Sequence, residues 1–318
     1  MDVIIEFLGL QGVNIPQQLV NALWAGSLYS LFALGYALIF SVLGVLNLSH
    51  SAVFMWGALI GMTAVCDGNL SADGRCEQLQ ASIWLTIPIA MIAGGIISVL
   101  VDRVAFYPLR QRNAPRFAQL ISSIGVAIIL VNLAQIQYGA APKVYPNDAL
   151  PNEPINNLPY GVILTQIQVL IFVIALVIML LLGVIVTRTS LGKRLRSVAF
   201  SLQISSLLGV NVDRIYMIAF FISGALAGAG GALYSWAFKA DPFMGDTLAL
   251  KGLTVIVLGG LGSIRGAVFG GFLVGIIEVY AVAIGYSDLR EVFVFTMFFV
   301  VVLVRPQGLF GQPITDRT

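Results

Sequence analysis

Apolar residues dominate this chain in long blocks, without the alternation of half-buried strands or the narrow stripe of surface helices. The blocks run at 19–65, 81–101, 120–138, 161–186, 215–236, 253–285 and 289–304. A helix needs about 20 apolar residues to cross the hydrocarbon core of a bilayer, so each block is a candidate span. Two are too long for one crossing. As a single helix, 19–65 would extend about 70 Å at ~1.5 Å per residue, over twice the hydrocarbon thickness. Block 253–285 poses the same problem more mildly. The pattern predicts an all-α, polytopic integral membrane bundle of eight or nine spans, some of them broken or re-entrant. Residues 1–18 hold Val3, Ile4, Ile5, Phe7, Leu8 and Leu10 with Asp2, Glu6 and no basic residue. They predict an external interfacial segment and not a cleaved leader, which needs a basic start. Residues 19–318 then form one transmembrane domain.

Composition agrees with this picture and removes alternatives. Apolar residues make up 58% and charged residues 10%, against roughly 45–50% and 25% in soluble domains. A polar coat for a soluble enzyme is not available. With 17 Lys+Arg against 15 Asp+Glu the net charge is +2, so no basic face exists for a nucleic acid.

Charge distribution predicts orientation, because Lys and Arg concentrate in cytoplasmic loops. Segment 102–119 holds Arg103, Arg110, Arg112 and Arg116 against Asp102, and segment 187–214 holds Arg188, Lys193, Arg194, Arg196 and Arg214 against Asp213. Both are expected inside. Segments 66–80 and 139–160 are poor in bases and expected outside. If 19–65 crosses twice, the amino terminus is outside, while Arg305 and Arg317 place the carboxyl terminus in the cytoplasm. Cys66 and Cys76 share one polar outer loop. They form either a disulfide, if the compartment is oxidising, or two free thiols; without a nearby histidine they cannot complete a metal site. Loop 139–160 carries Pro142, Pro146, Pro151, Pro154 and Pro159 and reads as ordered coil, either a plain connector or a surface for a soluble partner.

No catalytic set is present. His50 is the only histidine, which excludes an HExxH helix, and no G-x-x-x-x-G-K-[ST] loop occurs, so the chain has no ATP site of that kind. Three features remain. The polar run Asn47-Leu48-Ser49-His50-Ser51 interrupts 19–65; it is either a break between half-helices on a transport pathway or the cytoplasmic turn between two spans. Glycines stripe the later segments, among them Gly224, Gly228, Gly231, Gly259, Gly260, Gly262, Gly266, Gly270, Gly271 and Gly275, mostly as positions of close helix packing. Arg265 fits a helix break better than mid-bilayer. Glu278 lies within an otherwise apolar helix, and an intramembrane carboxylate is a functional candidate or the partner of a base in another subunit. Finally, 187–214 is the longest basic inner loop. Residues 195–208 permit a short amphipathic helix ended by Gly209, either a docking element or a solvated loop.

These residues carry a family likeness. Gly26-Ser-Leu-Tyr29-Ser-Leu-Phe-Ala-Leu-Gly35 with Gly44-Val-Leu-Asn47-Leu-Ser-His50, then Thr189-Ser-Leu-Gly192-Lys-Arg-Leu-Arg196 through Leu208-Gly209-Val-Asn-Val212, then Pro242-Phe-Met-Gly245 form the first three motifs. Lys251-Gly-Leu-Thr-Val-Ile-Val-Leu-Gly259-Gly-Leu-Gly262-Ser-Ile-Arg-Gly266 and Arg305-Pro306-Gln-Gly308-Leu-Phe-Gly311 complete them. In this order the chain resembles the branched-chain amino acid permeases of ATP-binding-cassette importers, the LivH type. The family's coupling loop usually carries an acid and alanines; here Gln203, Ser205 and Ser206 precede Gly209, so the small residues persist and the acid does not.

The resemblance implies a multi-pass inner-membrane subunit that hydrolyses nothing and binds no cofactor, ATP being held by two partner ATPase subunits. A second related permease chain and an extracytoplasmic solute-binding protein would complete the importer. It places ATPase contact on Lys193, Arg194, Arg196, Gln203, Ser205, Ser206 and Gly209. It places the pathway on Asn47, Ser49, His50, Ser51, Gly259, Gly260 and Gly262. The cargo would be branched-chain or other neutral amino acids, with urea or short amides as the alternative. An ion-coupled secondary transporter would typically need ionisable groups near the midplane, and Glu278 alone is thin support for that reading.

Overall fold

The computed structural model describes residues 14–66, 76, 79–146, 149–155 and 161–311. Residues 1–13 of the expected interfacial segment, most of the loop between the cysteines, Pro159 and Arg317 lie outside the described residues. The long block 19–65 divides into two helices. Helix α1, Ile15–Leu43, starts at Asn14, whose side chain accepts from Gln17 N, and has a proline in its first turn, where the missing N–H costs nothing. It ends because Gly44 adopts a left-handed conformation (φ +69°) and donates to Phe40 O, a geometry that glycine enters without strain. Helix α2 is His50–Val65.

Helix α3, Thr86–Val101, follows a 3₁₀ turn at Ile83–Leu85 and passes through a π turn, Asp102–Phe106, into α4, Tyr107–Gln111. Then come α5, Arg116–Tyr138, and α6, Gln166–Arg188. A two-stranded antiparallel ribbon, β1 Pro154–Ile155 with β2 Leu164–Thr165, sits in the connection between them. Two short helices follow, α7 Ser190–Phe200 and α8 Leu202–Leu207. The remainder is α9 Val212–Ala237, α10 Met244–Gly259, α11 Ile264–Ala283 and α12 Arg290–Val304. Among the described residues, six helices are long and apolar enough to cross a membrane: Ile15–Leu43, Ile83–Gln111, Arg116–Tyr138, Gln166–Arg188, Val212–Ala237 and Ile264–Ala283. Helices α2, α10 and α12 have 16, 16 and 15 residues, about 24 Å at most and short of the ~30 Å hydrocarbon core.

Helices α1 and α9 form the interior, each 78% buried across its apolar window, whereas α5 is 17% buried and offers its apolar side outward. What holds the interior helices together is proximity of backbones. On one side α9 lies along α3 and crosses α2. A Cβ on Gly228 would strike Ala90 O, one on Gly94 would strike Gly224 O, and one on Gly57 would strike Gly228 Cα. On the other side α11 lies along α1; a Cβ on Gly275 would sit 2.7 Å from Gly26 Cα, and Ser30 Oγ donates to Val268 O at 2.9 Å. Apolar helices in lipid gain no hydrophobic drive from meeting each other, so van der Waals contact and hydrogen bonds at small residues carry association.

A methylated glycine at such a contact must push two helices apart. Gly228→Ala is expected to destabilise the purified protein by about 1–3 kcal/mol, read as a lower melting temperature in detergent. Gly125→Ala and Gly183→Ala, which meet nothing within 4 Å, are expected to leave it unchanged.

Candidate functional site

A cleft of about 580 Å³ opens between α1, α9, α10, α11 and the first turn of α12. Its mouth is polar, with Gln18, Asn21, Gln168, Thr247 and Arg290; its walls are apolar, with Trp24, Leu28, Leu248, Val279 and Val282. At its floor Lys251 Nζ donates to Glu278 Oε1 at 2.6 Å and to Tyr29 Oη at 3.3 Å, with the ammonium 5.0 Å from the Tyr29 ring centroid. Arg290 Nε stands 3.7 Å from the same carboxylate oxygen. Glu278 thus finds its base within its own chain. The sequence reading missed Lys251 because it lies just outside the apolar block 253–285; a lysine flanked by Leu250 and Leu253 was the available signal. Both side chains are 9% exposed, and two charges taken so far from water persist because they are paired.

The polar run at 47–51 does not line this cleft. Asn47, Ser49 and His50 are buried, and protein groups meet most of their polar atoms, Asn47 Nδ2 being left without a partner among the described residues. Asn47 Oδ1 accepts from Ser49 N and from Ser49 Oγ, the latter at 2.6 Å; Ser51 Oγ donates to Leu48 O; Leu48 N donates to Ser123 Oγ. The His50 ring lies between Phe32 and Tyr36, its Nε2 3.3 Å from Phe32 O and its Nδ1 3.3 Å from Ser223 Oγ. The break therefore stands level with the middle of α1 and not at its end, as half-helices do. Gly245, in the first turn of α10, packs on Ser51 O, so two short helices begin side by side within the bundle.

Gly259, Gly260 and Gly262 make the turn between α10 and α11, where Gly259 touches Gly266 and Gly260 touches Gly311. Arg265 lies exposed in the first turn of α11, beside this turn. The tail seals the turn, with Leu309 N and Phe310 N donating to Leu258 O and Gly259 O.

The single helix expected over 195–208 is two. Ser201 is extended (φ −154°) and its hydroxyl accepts from Ile204 N, a cap that interrupts one helix and starts the next. Thr189 caps α7 by accepting from Gly192 N, and Arg196 Nη1 bonds Val186 O, which ties α7 to the end of α6. Ser197 Oγ and Ser205 Oγ, 2.7 Å apart, join α7 to α8, and Ser205 is fully buried. Leu195 and Val198 pack with Val42, Ile215, Tyr216 and Ala219. Outward, the pair presents Phe200, Leu202, Ile204, Leu207 and Leu208, the last two 86% and 73% exposed, with Lys193, Arg194, Arg196, Gln203 and Ser206 around them. Gly209 closes α8 in a left-handed conformation (φ +79°).

At the opposite end Cys66 and Cys76 are joined by a disulfide. Cys66 bridges Leu79, Cys76 N donates to Val144 O, and Lys143 pairs with Ala240. Burial holds the Lys143 ammonium below its ordinary value and pushes the Tyr145 phenol up to about 12. Among the described residues no group of three or more His, Cys, Asp or Glu gathers as a metal would need.

Long apolar helices locked through glycines, with a paired charge set below a polar mouth, define a polytopic membrane protein. Residues 18–302 match the family described as branched-chain amino acid transport system, permease component, and the chain belongs to that family. It is 33% identical over 306 residues to the high-affinity branched-chain amino acid transport system permease protein BraD of Pseudomonas aeruginosa, covering 95% of this chain and 97% of that one. It is 30% identical over 310 residues to the permease protein LivH of Salmonella typhimurium, with the same coverage, and 29% identical over 306 residues to LivH of Escherichia coli K12. The chain is thus a multi-pass inner-membrane permease component.

Breaking the buried pair from one side leaves an uncompensated charge. Lys251→Met is expected to cost about 3–5 kcal/mol, whereas Lys251→Met combined with Glu278→Met is expected to be close to neutral. Thermal unfolding in detergent measures both, and equal losses in single and double variants would contradict the pairing.

Proposed function

We propose that this chain is the membrane subunit of an ATP-driven importer of branched-chain or other neutral amino acids. It works by alternating access with two ATPase subunits, a second related permease chain and an extracytoplasmic binding protein. The observation that carries the reading is the α7–α8 pair. Its inner face is fixed to α6, α9 and α1, while Phe200, Leu202, Ile204, Leu207 and Leu208 face out among arginines and a lysine. An apolar ridge of this kind, held rigid and rimmed by charge, suits docking of a soluble protein. Without the family's usual acid, the contact relies on that ridge and on Ser205 packing. The identity to proteins named for branched-chain amino acid transport favours that cargo over urea or short amides.

Orientation follows from which ends meet. Gln17 bonds Ile163 O and Tyr280 Oη donates to Ile15 O, so the start of α1, the 139–165 connection and the end of α11 share one face. The disulfide loop belongs with them through Val144 and supports an oxidising, outer side. The tail and the 260–263 turn share the other face with α7 and α8, where bases cluster. These contacts support the reading with the amino terminus outside and the carboxyl terminus in the cytoplasm. Counting the short helices α2, α10 and α12 as crossings beside the six long ones supports nine of the expected eight or nine, the odd number that termini on opposite sides require.

Two measurements test the reading. In cells with and without the gene, uptake of labelled leucine and alanine is expected to fall on deletion and to depend on ATP, not on the proton gradient; loss of urea uptake alone, or uptake that follows the gradient, overturns it. Leu207→Asp with Leu208→Asp is expected to lower leucine uptake at least 10-fold and to abolish co-purification of the ATPases while membrane insertion is unchanged; normal uptake removes this surface from the mechanism.

A further inference from the structure

The cleft between α1, α10 and α11 combines features that a plain packing defect lacks. Its volume, about 580 Å³, lies in the range of small-molecule sites, which are mostly apolar with a few convergent polar groups. Glu278 projects into it from five residues before the end of α11, about 8 Å below that helix end. One carboxylate oxygen, Oε1, is taken by Lys251, but the other, Oε2, is buried and has no hydrogen-bond partner among the described residues. An unmet acceptor on a charged group is costly, and Glu278 is among the residues that line the cleft, with Trp24, Leu28, Leu248 and Val279. Arg290 reaches the same carboxylate from the mouth at 3.7 Å and is half exposed, so its guanidinium remains available to a second anion.

We propose that this cleft is a way-station for a free amino acid zwitterion on its route through the permease. Glu278 Oε2 accepts from the ammonium group, Arg290 donates to the carboxylate, and the aliphatic side chain lies against Leu28, Leu248 and Val279. Lys251 holds the carboxylate of Glu278 in place through Oε1 without touching the cargo. The permease then reads both charges of the cargo itself, separately from any binding protein. The inference rests on the amino acid importer reading above.

The chain offers a clean reporter, since its two cysteines are consumed by the disulfide. Thr247→Cys, exposed on the cleft wall, supplies a single thiol. Its reaction with a charged methanethiosulfonate is followed in the assembled transporter in proteoliposomes, with leucine uptake measured on the same preparation. Millimolar leucine is expected to slow labelling at least 3-fold. Isopentylamine and isocaproate, each lacking one charge, are expected not to, and Arg290→Gln is expected to remove the protection by leucine. If the Thr247 position does not react, Val282→Cys on the facing wall reports instead. Leucine uptake without protection overturns the cleft proposal and leaves the importer reading standing; equal protection by all three compounds overturns recognition of the zwitterion. No leucine uptake by the wild-type assembly overturns the importer reading itself, and the proposal with it.

Discussion

Close approach of helix backbones is the constraint on which the rest of this structure depends. In lipid, leucine against leucine is no better than leucine against an acyl chain, so the bundle cannot be held by apolar burial between its helices. Glycine at 57, 94, 224 and 228 brings α2, α3 and α9 together; glycine at 26, 271 and 275 brings α1 and α11 together. Between these two glycine-packed seams α1 and α9 become the interior, and the buried histidine and the floor of the cleft are organised around them. His50 is held by Phe32, Gly35 and Tyr36 of α1 and Ser223 of α9, and the charged floor of the cleft meets Tyr29 of α1.

The polar groups divide into two kinds. Those of the 47–51 break are turned inward and, except for Asn47 Nδ2, answered by neighbouring protein, so the break works as a joint between α1 and α2. Those of the cleft are answered only in part, with Lys251 satisfying one oxygen of Glu278 and leaving the other. A second buried ion pair, Arg110 with Asp102 at 2.6 Å, sits at the π turn, toward the end of the bundle that carries α7. There the Arg110 guanidinium also lies 4.4 Å from the Tyr216 ring centroid. Charge is thus present near both ends of the bundle, and the Lys251–Glu278 set borders the cleft.

Much of this was legible in the sequence. Block lengths gave the helical class and the split of 19–65, since a polar run after Gly44 has only a few ways to be satisfied in lipid. The glycine stripes forecast the packing, and the basic segments forecast which loops share a face. What stayed hidden depended on three-dimensional neighbours. Lys251 and Glu278 are 27 positions apart, and no local pattern pairs them. Ser201 breaks the helix expected over 195–208 through its own hydroxyl, a choice that those residues leave open because their apolar spacing suits one helix or two. The arrival of Arg290 over the cleft depends on a tight turn at 284–289, which periodicity does not resolve.

Helix α1 has a mechanical character that its hydrophobicity conceals. It is an unbroken rod of 29 residues, about 43 Å long, and its contacts with α11 at Gly26 and Ser30 fall near the midpoint. Its carboxyl-terminal end is clamped to the α7–α8 pair through Val42, and its amino-terminal half forms a wall of the cleft. With α11 along it from Ile15 to Ser30, it is a strut gripped over half its length, so the helix pair at one end and the cleft wall at the other belong to one stiff body.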